Sequence, residues 1–309
     1  MKNLSTIAIV LFFTLLVVPI TSYLFGTSLG ALEWEVLSTL IIIAAISIAY
    51  SFIVGEWTKN NSQVDKLWSI LPIIYVWVVA YYGDFAPRLV VMAVLASAWG
   101  IRLTANFALK GAYQWRFWEG EEDYRWQVLR ERPEFQARWK WSLFNLLFIC
   151  LYQLTLILLF TLPSIVALQH KEVDLTRFDY VLAGLMLFFI LYEMVADMQQ
   201  WKFQSIKWQK IRSGEILTGD YKKGFLDKGL WAYSRHPNYF AEQSIWICFY
   251  LFSVVASGEW INWSIAGCLL LVVLFRGSSE LSESLTLSKY PEYKNYQLKV
   301  GRFIPFWKS

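Results

Sequence analysis

The sequence is poor in charged residues and in the residue types that build metal sites and disulfide frameworks. Asp, Glu, Lys and Arg make up 17% of the 309 residues, whereas a soluble globular protein carries about 25%. There are three cysteines and two histidines. Because Cys150, Cys248 and Cys268 all fall inside apolar stretches, we expect small buried packing residues without disulfides. This composition excludes an ordinary soluble domain and gives a metal site little support.

The nucleotide-binding motifs of soluble proteins are also missing. The chain contains neither a Walker loop nor a GxGxxG sequence, which excludes the soluble folds built on them. The net charge of +4 is modest and requires no nucleic-acid partner.

Apolar residues are in excess, and they are arranged in long blocks. Hydrophobic residues account for 57% of the chain, and a membrane-spanning helix needs about 20 mostly apolar residues. Eight such blocks lie near residues 5–26, 35–55, 66–83, 87–107, 141–168, 177–200, 239–257 and 259–276. We therefore predict an all-α fold, a polytopic transmembrane helical bundle of about eight spans.

The first and fifth blocks depart from the length of a simple span. The first, at 5–26, is too long for the apolar region of a cleaved signal peptide, so we predict a retained helix. The fifth, at 141–168, exceeds one straight span, which predicts a tilt or an extension beyond the bilayer. Residues 1–309 are predicted to form a single integral membrane domain, with 1–55 as extra N-terminal helices and 56–309 as its core.

The basic residues are distributed unevenly between the two sides of such a bundle. Eight spans place both termini on one side. Nearly all Lys and Arg lie in the segments on that side, which are 1–4, 56–65, 108–140, 201–238 and 277–309. The opposite loops hold only Arg88, Lys171 and Arg177. Because Lys and Arg stay on the cytoplasmic side during insertion, we predict cytoplasmic termini. A bacterial inner membrane is the location we expect, and a eukaryotic reticulum membrane is the alternative.

Four pairs of polar residues lie inside or at the ends of these spans. They are Arg102 with Asn106, Glu193 with Asp197, Asn238 with Glu242, and Arg276 with Glu280. A charge at the bilayer centre costs about 2.5–3.5 kcal/mol, and residues four apart share one helix face. All four pairs fall at cytoplasmic ends, which predicts a polar pocket open to the cytoplasm. For any single pair, an interfacial contact that reaches water is an equally good interpretation.

Two of these residues, Glu193 and Asp197, are carboxylates on one helix face. They repel each other, so they require a shared cation, hydroxyl or amide partner.

The segment between the sixth and seventh blocks is rich in glycine and ends in a polar cluster. Its glycines predict a loop with defined turns, and they are Gly214, Gly219, Gly224 and Gly229. In the sequence YSRHPNY that follows, Pro237 suits the first turn of a helix. A helix N-terminus beside Arg235 and His236 attracts anions, so a phosphate-bearing cofactor would fit there. A basic membrane-anchoring turn is the competing interpretation.

Five motifs of the chain resemble the steroid 5-alpha-reductase superfamily. They are WGIRLTANF at 99–107, EEDYRW at 121–126, EMVADMQQWKF at 193–203, YSRHPNYFAE at 233–242 and YPEYKNYQLKVGRFIPF at 290–306. The first two are most similar to its uncharacterised bacterial branch. The resemblance covers about residues 56–309 and leaves the first helix outside.

The resemblance implies a membrane reductase that binds NADPH on its cytosolic side and acts on a lipid or steroid-like enone. By motif, the cofactor-binding residues would be Glu193, Asp197, Tyr233, Arg235, His236, Asn238, Glu242, Arg276 and Glu280. Among them, Arg276 would meet a cofactor phosphate. Asp65 and Arg102 are the residues predicted to be catalytic.

The chain departs from the steroid enzymes at the substrate end. Their ketone-activating tyrosine, three residues before the arginine that Arg102 matches, is replaced by Trp99. Their catalytic glutamate has Asp65 as a candidate counterpart. Asp65 or a tyrosine would then polarise the carbonyl, and we expect a substrate other than a steroid 3-ketone.

Two other functions fit the same motifs. Isoprenylcysteine carboxyl methyltransferases share an RHPxY loop and an acidic last-helix segment, here SSELSESLTLSKYPEYKNY; S-adenosylmethionine would then replace NADPH. The third possibility is a lipid-binding or scaffold protein without chemistry. The motifs EEDYRW and WGIRLTANF and the paired carboxylates favour the reductase over the methyltransferase by resemblance. The polar pairs argue against a protein without chemistry, because each costs insertion free energy unless it binds a ligand.

Overall fold

The computed structural model describes residues 28–307, together with positions 17, 20, 21 and 24. Within these residues all regular elements are helices, which confirms the all-α prediction. Seven of the described helices are long and apolar enough to cross a membrane, so the chain is an integral multi-pass membrane protein. The first predicted block, residues 5–26, lies outside the described residues.

Long helices alternate with shorter helical pieces along the chain. In order they are α1 (Ala31–Thr58), α2 (Gln63–Tyr82), α3 (Pro87–Leu109), α4 (Tyr124–Arg130), α5 (Arg138–Phe144), α6 (Gln153–Thr161), α7 (Pro163–Gln169), α8 (Arg177–Arg212), α9 (Gly219–Lys223), α10 (Pro237–Ser257), α11 (Ile265–Lys289) and α12 (Tyr293–Lys299). A π-helical stretch, Asn145–Tyr152, joins α5 to α6. The start of α10 at Pro237 agrees with the predicted helix start.

The predicted block at 141–168 is one helical run, Arg138–Gln169, that contains the π-helical stretch. Asn145 opens this stretch and is fully buried, and its Nδ2 donates to Glu56 Oε1 at 2.8 Å. The other oxygen of Glu56 accepts from Ser142 Oγ at 2.7 Å. The π-helical stretch therefore coincides with a tertiary polar contact. Such a contact cannot be predicted from the pattern of apolar residues.

The last predicted block, 259–276, is displaced along the chain. The helix α11 begins at Ile265, because the preceding residues form a turn in which Asn262 Oδ1 accepts from Ser264 Oγ at 2.6 Å. It continues past Arg276 to Lys289, since the carboxylates of this last part find partners in the protein.

The chain forms two compact units that alternate along the sequence. The first comprises Met1–Ala183 and Cys248–Leu270, and the second comprises Gly184–Ile247 and Leu271–Ser309.

In the first unit, α2 and α3 pack against each other in opposite directions. Ser69 Oγ lies 2.8 Å from Thr104 Oγ1, and Trp77 Nε1 donates to Ser97 Oγ at 2.9 Å. A Cβ on Gly100 would lie 2.5 Å from the Ser69 carbonyl oxygen. Glycine therefore permits this close approach, and the two contacts fix the register of the pair.

In the second unit, the glycine-rich loop packs on the middle of α8. Trp231 Nε1 donates to the Ala196 carbonyl at 3.1 Å, and the Leu230 N–H donates to Gln199 Oε1 at 3.0 Å. The prediction of defined turns is confirmed, because all four predicted turn glycines have positive φ.

Candidate functional site

Two of the predicted polar pairs come together at the junction of α8 and α10. Asn238, in the first turn of α10, donates its Nδ2 to Asp197 Oδ1 of α8 at 3.1 Å. Glu193 lies one turn before Asp197, and Glu242 lies one turn after Asn238; both glutamates are buried. Glu242 Oε1 accepts from Trp246 Nε1 at 3.0 Å. Asn238 is thus an amide partner of the kind expected for the carboxylates of α8.

This junction is rich in hydrogen-bond acceptors. Asp197 contributes a carboxylate, and the buried Oδ1 of Asn238 has no hydrogen-bond partner among the described residues. A buried oxygen left in this state costs about 1–3 kcal/mol. A water molecule, or a ligand that supplies N–H or O–H groups, would satisfy this oxygen. Carboxamides, amines and sugar hydroxyls are donors of this kind.

A buried ion-pair cluster in the same unit joins the loop, α11 and the C-terminal segment, which comprises residues 293–307. Arg235 Nε donates to Glu283 Oε1 at 2.7 Å, and both side chains are buried. Arg235 Nη1 donates to the carbonyls of Gln297 and Val300 at 2.9 and 2.5 Å. His236 Nε2 lies 3.0 Å from the same Glu283 oxygen. Since Arg235 uses its donors inside the protein, its predicted contact with a cofactor stays a prediction.

The protonation state of His236 follows from these contacts. Burial lowers the pKa of His236, and the Glu283 carboxylate offsets only part of that effect. The ring is therefore neutral at neutral pH, and Nε2 carries the proton because a carboxylate can only accept. Nδ1 is then an acceptor. The ring stacks on Tyr239, with centroids 5.2 Å apart and planes 11° apart, which holds it in one orientation.

Three exposed or partly exposed charges extend the cluster. Arg276 Nε donates to Glu280 Oε1 at 2.9 Å, and these two side chains are 61% and 55% exposed. Arg302 Nη1 reaches the same oxygen at 3.1 Å. Exposed ion pairs are worth only about 0–1 kcal/mol, so this one can open at little cost. Arg276 and Arg302 are therefore guanidinium groups that a phosphate could reach.

The C-terminal segment lies along the loop that precedes α10. The backbone N–H groups of Arg235 and His236 donate to the carbonyls of Gly301 and Arg302 at 2.9 and 3.0 Å. A Cβ on Gly301 would lie 1.7 Å from the Trp307 carbonyl oxygen. The close turn of this segment therefore requires glycine.

Two tyrosines strengthen this attachment. Tyr296 donates its hydroxyl to the Trp231 carbonyl. The Tyr233 carbonyl accepts from the Phe306 N–H at 3.2 Å, and the two rings lie 4.7 Å apart. The Tyr233 ring is exposed, so its predicted cofactor contact is sterically open.

The sequence interpretation leaves Glu283 and Arg302 outside the predicted site, although the structure puts them in the cluster. Glu283 follows Arg276 by seven residues, which is two turns along one helix face, and this spacing is a usable signal. Arg302 belongs to a non-helical segment, where no periodicity reveals its partner. No group of three His, Cys, Asp or Glu side chains that could hold a metal ion occurs in the described part of the chain.

Asp65, at the start of α2 in the first unit, has a defined partner. Its Oδ2 accepts from Trp126 Nε1 of the EEDYRW motif at 2.9 Å. The neighbouring Lys66 is buried, and its Nζ donates to the carbonyls of Phe117 and Glu119 at 2.6 Å each. The loop before α4 is therefore fastened to the start of α2, and its motif holds Asp65 in place.

Asp65 and Arg102 lie at different levels of the α2–α3 pair. The contact between Ser69 and Thr104 sets a register in which Arg102 is level with Leu71. Asp65 precedes that level by six residues, or about 9 Å along the helix axis. The two predicted catalytic residues are therefore offset along the helix pair, and their roles stay predictions. Both belong to the first unit, whereas the predicted cofactor-binding residues belong to the second.

The chain is similar to other proteins over most of its length. A family described as "Protein of unknown function (DUF1295)" matches residues 51–300. An uncharacterized protein of Schizosaccharomyces pombe is 37% identical over 279 residues, which cover 84% of this chain and 79% of the relative. No solved structure matches the chain. The family match includes every predicted site residue, from Asp65 to Glu280.

Proposed function

Because the chain belongs to the DUF1295 family, a steroid 5-alpha-reductase-like family, we propose that it is a membrane reductase that uses NADPH to reduce a C=C bond of a lipid or steroid-like enone. The observation that carries the proposal is the acceptor-rich junction of α8 and α10, where Asn238 Oδ1 is buried and lacks a described donor. The carboxamide and ribose hydroxyls of a nicotinamide nucleotide supply donors that fit it.

The phosphates of NADPH require positive charge, and the second unit carries it. Lys and Arg outnumber Asp and Glu in this unit, whereas acidic residues slightly outnumber basic ones in the first. Arg276 and Arg302 would bind phosphate oxygens through their planar N–H groups. The exposed contact of Arg276 with Glu280 would open in exchange.

When bound, NADPH supplies the hydride for the β-carbon of the enone. The residues of the chain bind and orient the reactants. Asp197 and Asn238 would hold the nicotinamide end through its N–H and O–H donors. Asp65 or a tyrosine would donate a hydrogen bond to the substrate carbonyl and stabilise the enolate that forms as the β-carbon is reduced. Arg102, buried in α3, remains a catalytic candidate.

The proposed location is a bacterial inner membrane, with both termini in the cytoplasm and a lipid-like substrate taken from the surrounding bilayer. The support is the excess of Lys and Arg in alternate loops and the likeness to the bacterial branch of the superfamily.

A methyltransferase using S-adenosylmethionine is the second candidate. One observation favours it. The carboxylates of Glu193, Asp197 and Glu242 would accept from an ammonium group as readily as from a carboxamide. The RHPxY loop, shared with isoprenylcysteine carboxyl methyltransferases, supports the same alternative.

A binding experiment separates the candidates. The protein is purified in detergent and melted with NADPH or S-adenosylmethionine. A ligand at 100 times its dissociation constant stabilises the folded state by about 2.7 kcal/mol. We expect NADPH to raise the melting temperature of the wild type but not of Asp197→Ala. The control is Asp220→Ala, which removes an exposed carboxylate paired with Lys228 in the same unit.

The outcomes are distinct. Stabilisation by S-adenosylmethionine alone would establish the methyltransferase instead. Stabilisation by neither ligand would favour a protein without chemistry.

A further inference from the structure

The C-terminal segment carries apolar side chains that the described part of the protein leaves uncovered. Ile304, Phe306 and Trp307 are 54, 80 and 67% exposed, and together they form the tail patch. Their backbone is nevertheless held, because the Phe306 N–H donates to the Tyr233 carbonyl at 3.2 Å and the Trp307 N–H donates to the Ile304 carbonyl at 3.3 Å. The tail patch is therefore presented by a fixed piece of chain.

Phe306 shows that this exposure is imposed by the fold. Its φ is +64°, in the left-handed region that a non-glycine residue adopts only at a cost in free energy. Such a conformation persists where the surrounding structure holds it, and here the ring lies 4.7 Å from the ring of Tyr233. The residue still stays 80% exposed, so the segment holds this ring outward instead of burying it.

The start of α10 gives the depth of the tail patch in a bilayer. The helix has 21 residues, which is about 31 Å and close to the thickness of the hydrocarbon layer, about 30 Å. Pro237, its first residue, therefore lies at one boundary of that layer. Tyr233, which binds Phe306, precedes Pro237 by four residues, so it lies within about 14 Å of the boundary.

The helix α11 gives the same level independently. Arg302 Nη1 donates to Glu280 Oε1 at 3.1 Å, and Arg302 Nη2 lies 3.8 Å from Glu283 Oε2. These glutamates follow Ile265, the first residue of α11, by 15 and 18 residues, which is about 22 and 27 Å along the axis. Since this is nearly the thickness of the hydrocarbon layer, Arg302 also lies near its boundary.

The charges of the segment favour lipid as the occupant of the tail patch. Residues 293–307 include Lys294, Lys299 and Arg302 but no Asp or Glu, and the two lysines are exposed. Anionic headgroups attract Lys and Arg, and Trp is enriched at the level of the headgroups. Basic residues beside exposed Trp, Phe and Ile are typical of segments that lie in the membrane interface.

We propose that the tail patch is an interfacial anchor. Its side chains enter the boundary between headgroups and acyl chains, in the leaflet at which α10 begins, and the exposed lysines contact anionic headgroups. The anchor holds the C-terminal segment at the membrane surface, and with it Arg302 and the carbonyls that bind the backbone of Arg235 and His236. The proposal goes beyond the proposed function, because it requires no particular cofactor.

The test places a fluorescent probe in the tail patch. Ile304→Cys is labelled with an NBD fluorophore, in nanodiscs of phosphatidylcholine and phosphatidylglycerol that hold one protein each. The three native cysteines are buried, so the unmutated protein gives the background labelling. One quencher is a phospholipid with a nitroxide on its headgroup, and the other is aqueous iodide.

The matched control is Ile216→Cys, which replaces another exposed isoleucine of the same unit, 90% exposed. The preceding helix, α8, has 36 residues, so its length of about 54 Å exceeds the hydrocarbon layer by about 24 Å. Asp179 and Arg88 fasten its start to the start of α3. The excess therefore lies at the end that precedes Ile216, which places this control in water.

We expect the label of Ile304→Cys to emit at shorter wavelength than the control, to be quenched by the nitroxide lipid and to be shielded from iodide. The label of Ile216→Cys should be quenched by iodide alone. Quenching of the Ile304→Cys label by iodide alone would overturn the proposal. Shielding of this label from both quenchers would also overturn it, because the patch would then be covered by protein.

A second measurement needs no label and remains available if Ile304→Cys does not fold. In the same nanodiscs, Trp307→Ser should speed proteolytic cleavage after residue 300, because a serine side chain gains little from entering the membrane interface. Ile216→Ser should leave the cleavage rate of the wild type unchanged. Equal cleavage rates in Trp307→Ser and the wild type would contradict the anchor.

Discussion

Both units bury an arginine beside a carboxylate, and the surroundings of the two pairs differ. In the first unit, Arg88 donates from Nε and Nη2 to the two oxygens of Asp179 at 2.7 and 3.0 Å. Its other contacts are the carbonyls of Val173 and Asp174. Asp179 also accepts from the backbone and hydroxyl of Thr176. Apart from Arg88, all these partners lie within residues 173–179. This ion pair therefore has a structural role, because it fastens one loop to the start of α3.

In the second unit, the carboxylate is shared among partners from separate segments. Glu283 accepts from Arg235 and lies 3.0 Å from the ring of His236. Gln297 Nε2 donates to its other oxygen at 2.8 Å, and Arg302 lies 3.8 Å away. Among these partners, His236 can change its charge near neutral pH, and Gln297 and Arg302 come from the C-terminal segment. Burial of an ion pair alone does not identify a site. The shared carboxylate of Glu283 ties the C-terminal segment to the loop and the helix, which carry predicted cofactor-binding residues.

The largest expected effect is the removal of the shared carboxylate. Glu283→Ala leaves the Arg235 charge buried without its partner, which costs about 3–5 kcal/mol. We expect a strong drop in the melting temperature in detergent and no further stabilisation by NADPH. Asp179→Ala is the matched change in the first unit, and it should lower the melting temperature similarly but leave stabilisation by NADPH intact.

If both variants lost the stabilisation by NADPH equally, the proposed difference between the two ion pairs would be wrong. Should either alanine variant fail to fold, Glu283→Gln and Asp179→Asn repeat the comparison with the shape of each side chain kept.

A somewhat smaller effect is expected where the C-terminal segment turns. In Gly301→Ala the new methyl group meets the Trp307 carbonyl, so the segment must move, at a cost of about 1–3 kcal/mol. Limited proteolysis should then cut the segment after residue 300 faster than in the wild type. The control is Gly277→Ala in α11, where a Cβ meets nothing within 4 Å. Equal cleavage rates in the two variants would argue against the attachment.

A pH effect is expected from His236, which faces Glu283, Arg235 and Arg302. Its pKa in the folded protein is below the ordinary value of 6.5, chiefly because it is buried. The unfolded chain therefore binds the proton more readily, and stability is complete above pH 6.5 and declines as the pH falls toward the folded pKa. His236→Gln keeps a donor for Glu283 but does not titrate, so its melting temperature should decline less between neutral and mildly acidic pH. Parallel curves for the two proteins would contradict this assignment.

The sequence predicts the elements of this protein better than their connections. The apolar blocks locate seven membrane-length helices, because composition and length suffice for that purpose. The four-residue spacings also lead to the meeting of Asp197 with Asn238. The role of Arg235 inside the protein could not be predicted, because its partners lie about 48 to 65 residues away and depend on tertiary packing. The Tyr75 hydroxyl, which is buried without a hydrogen-bond partner among the described residues, also could not be predicted from an apolar pattern.

The smallest effect on stability, and the sharpest on function, is expected for Arg276→Ala. Its pair with Glu280 is exposed, so its loss changes the free energy of unfolding by about 0–1 kcal/mol. If Arg276 binds a cofactor phosphate, the variant should still lose most of the stabilisation by NADPH. The matched control in the first unit is Arg116→Ala, whose pair with Glu119 is 65% and 50% exposed, and which should be neutral in both measurements. An unchanged response to NADPH in Arg276→Ala would show that Arg276 does not bind the phosphate. The phosphate site would then lie at Arg302 or outside the second unit.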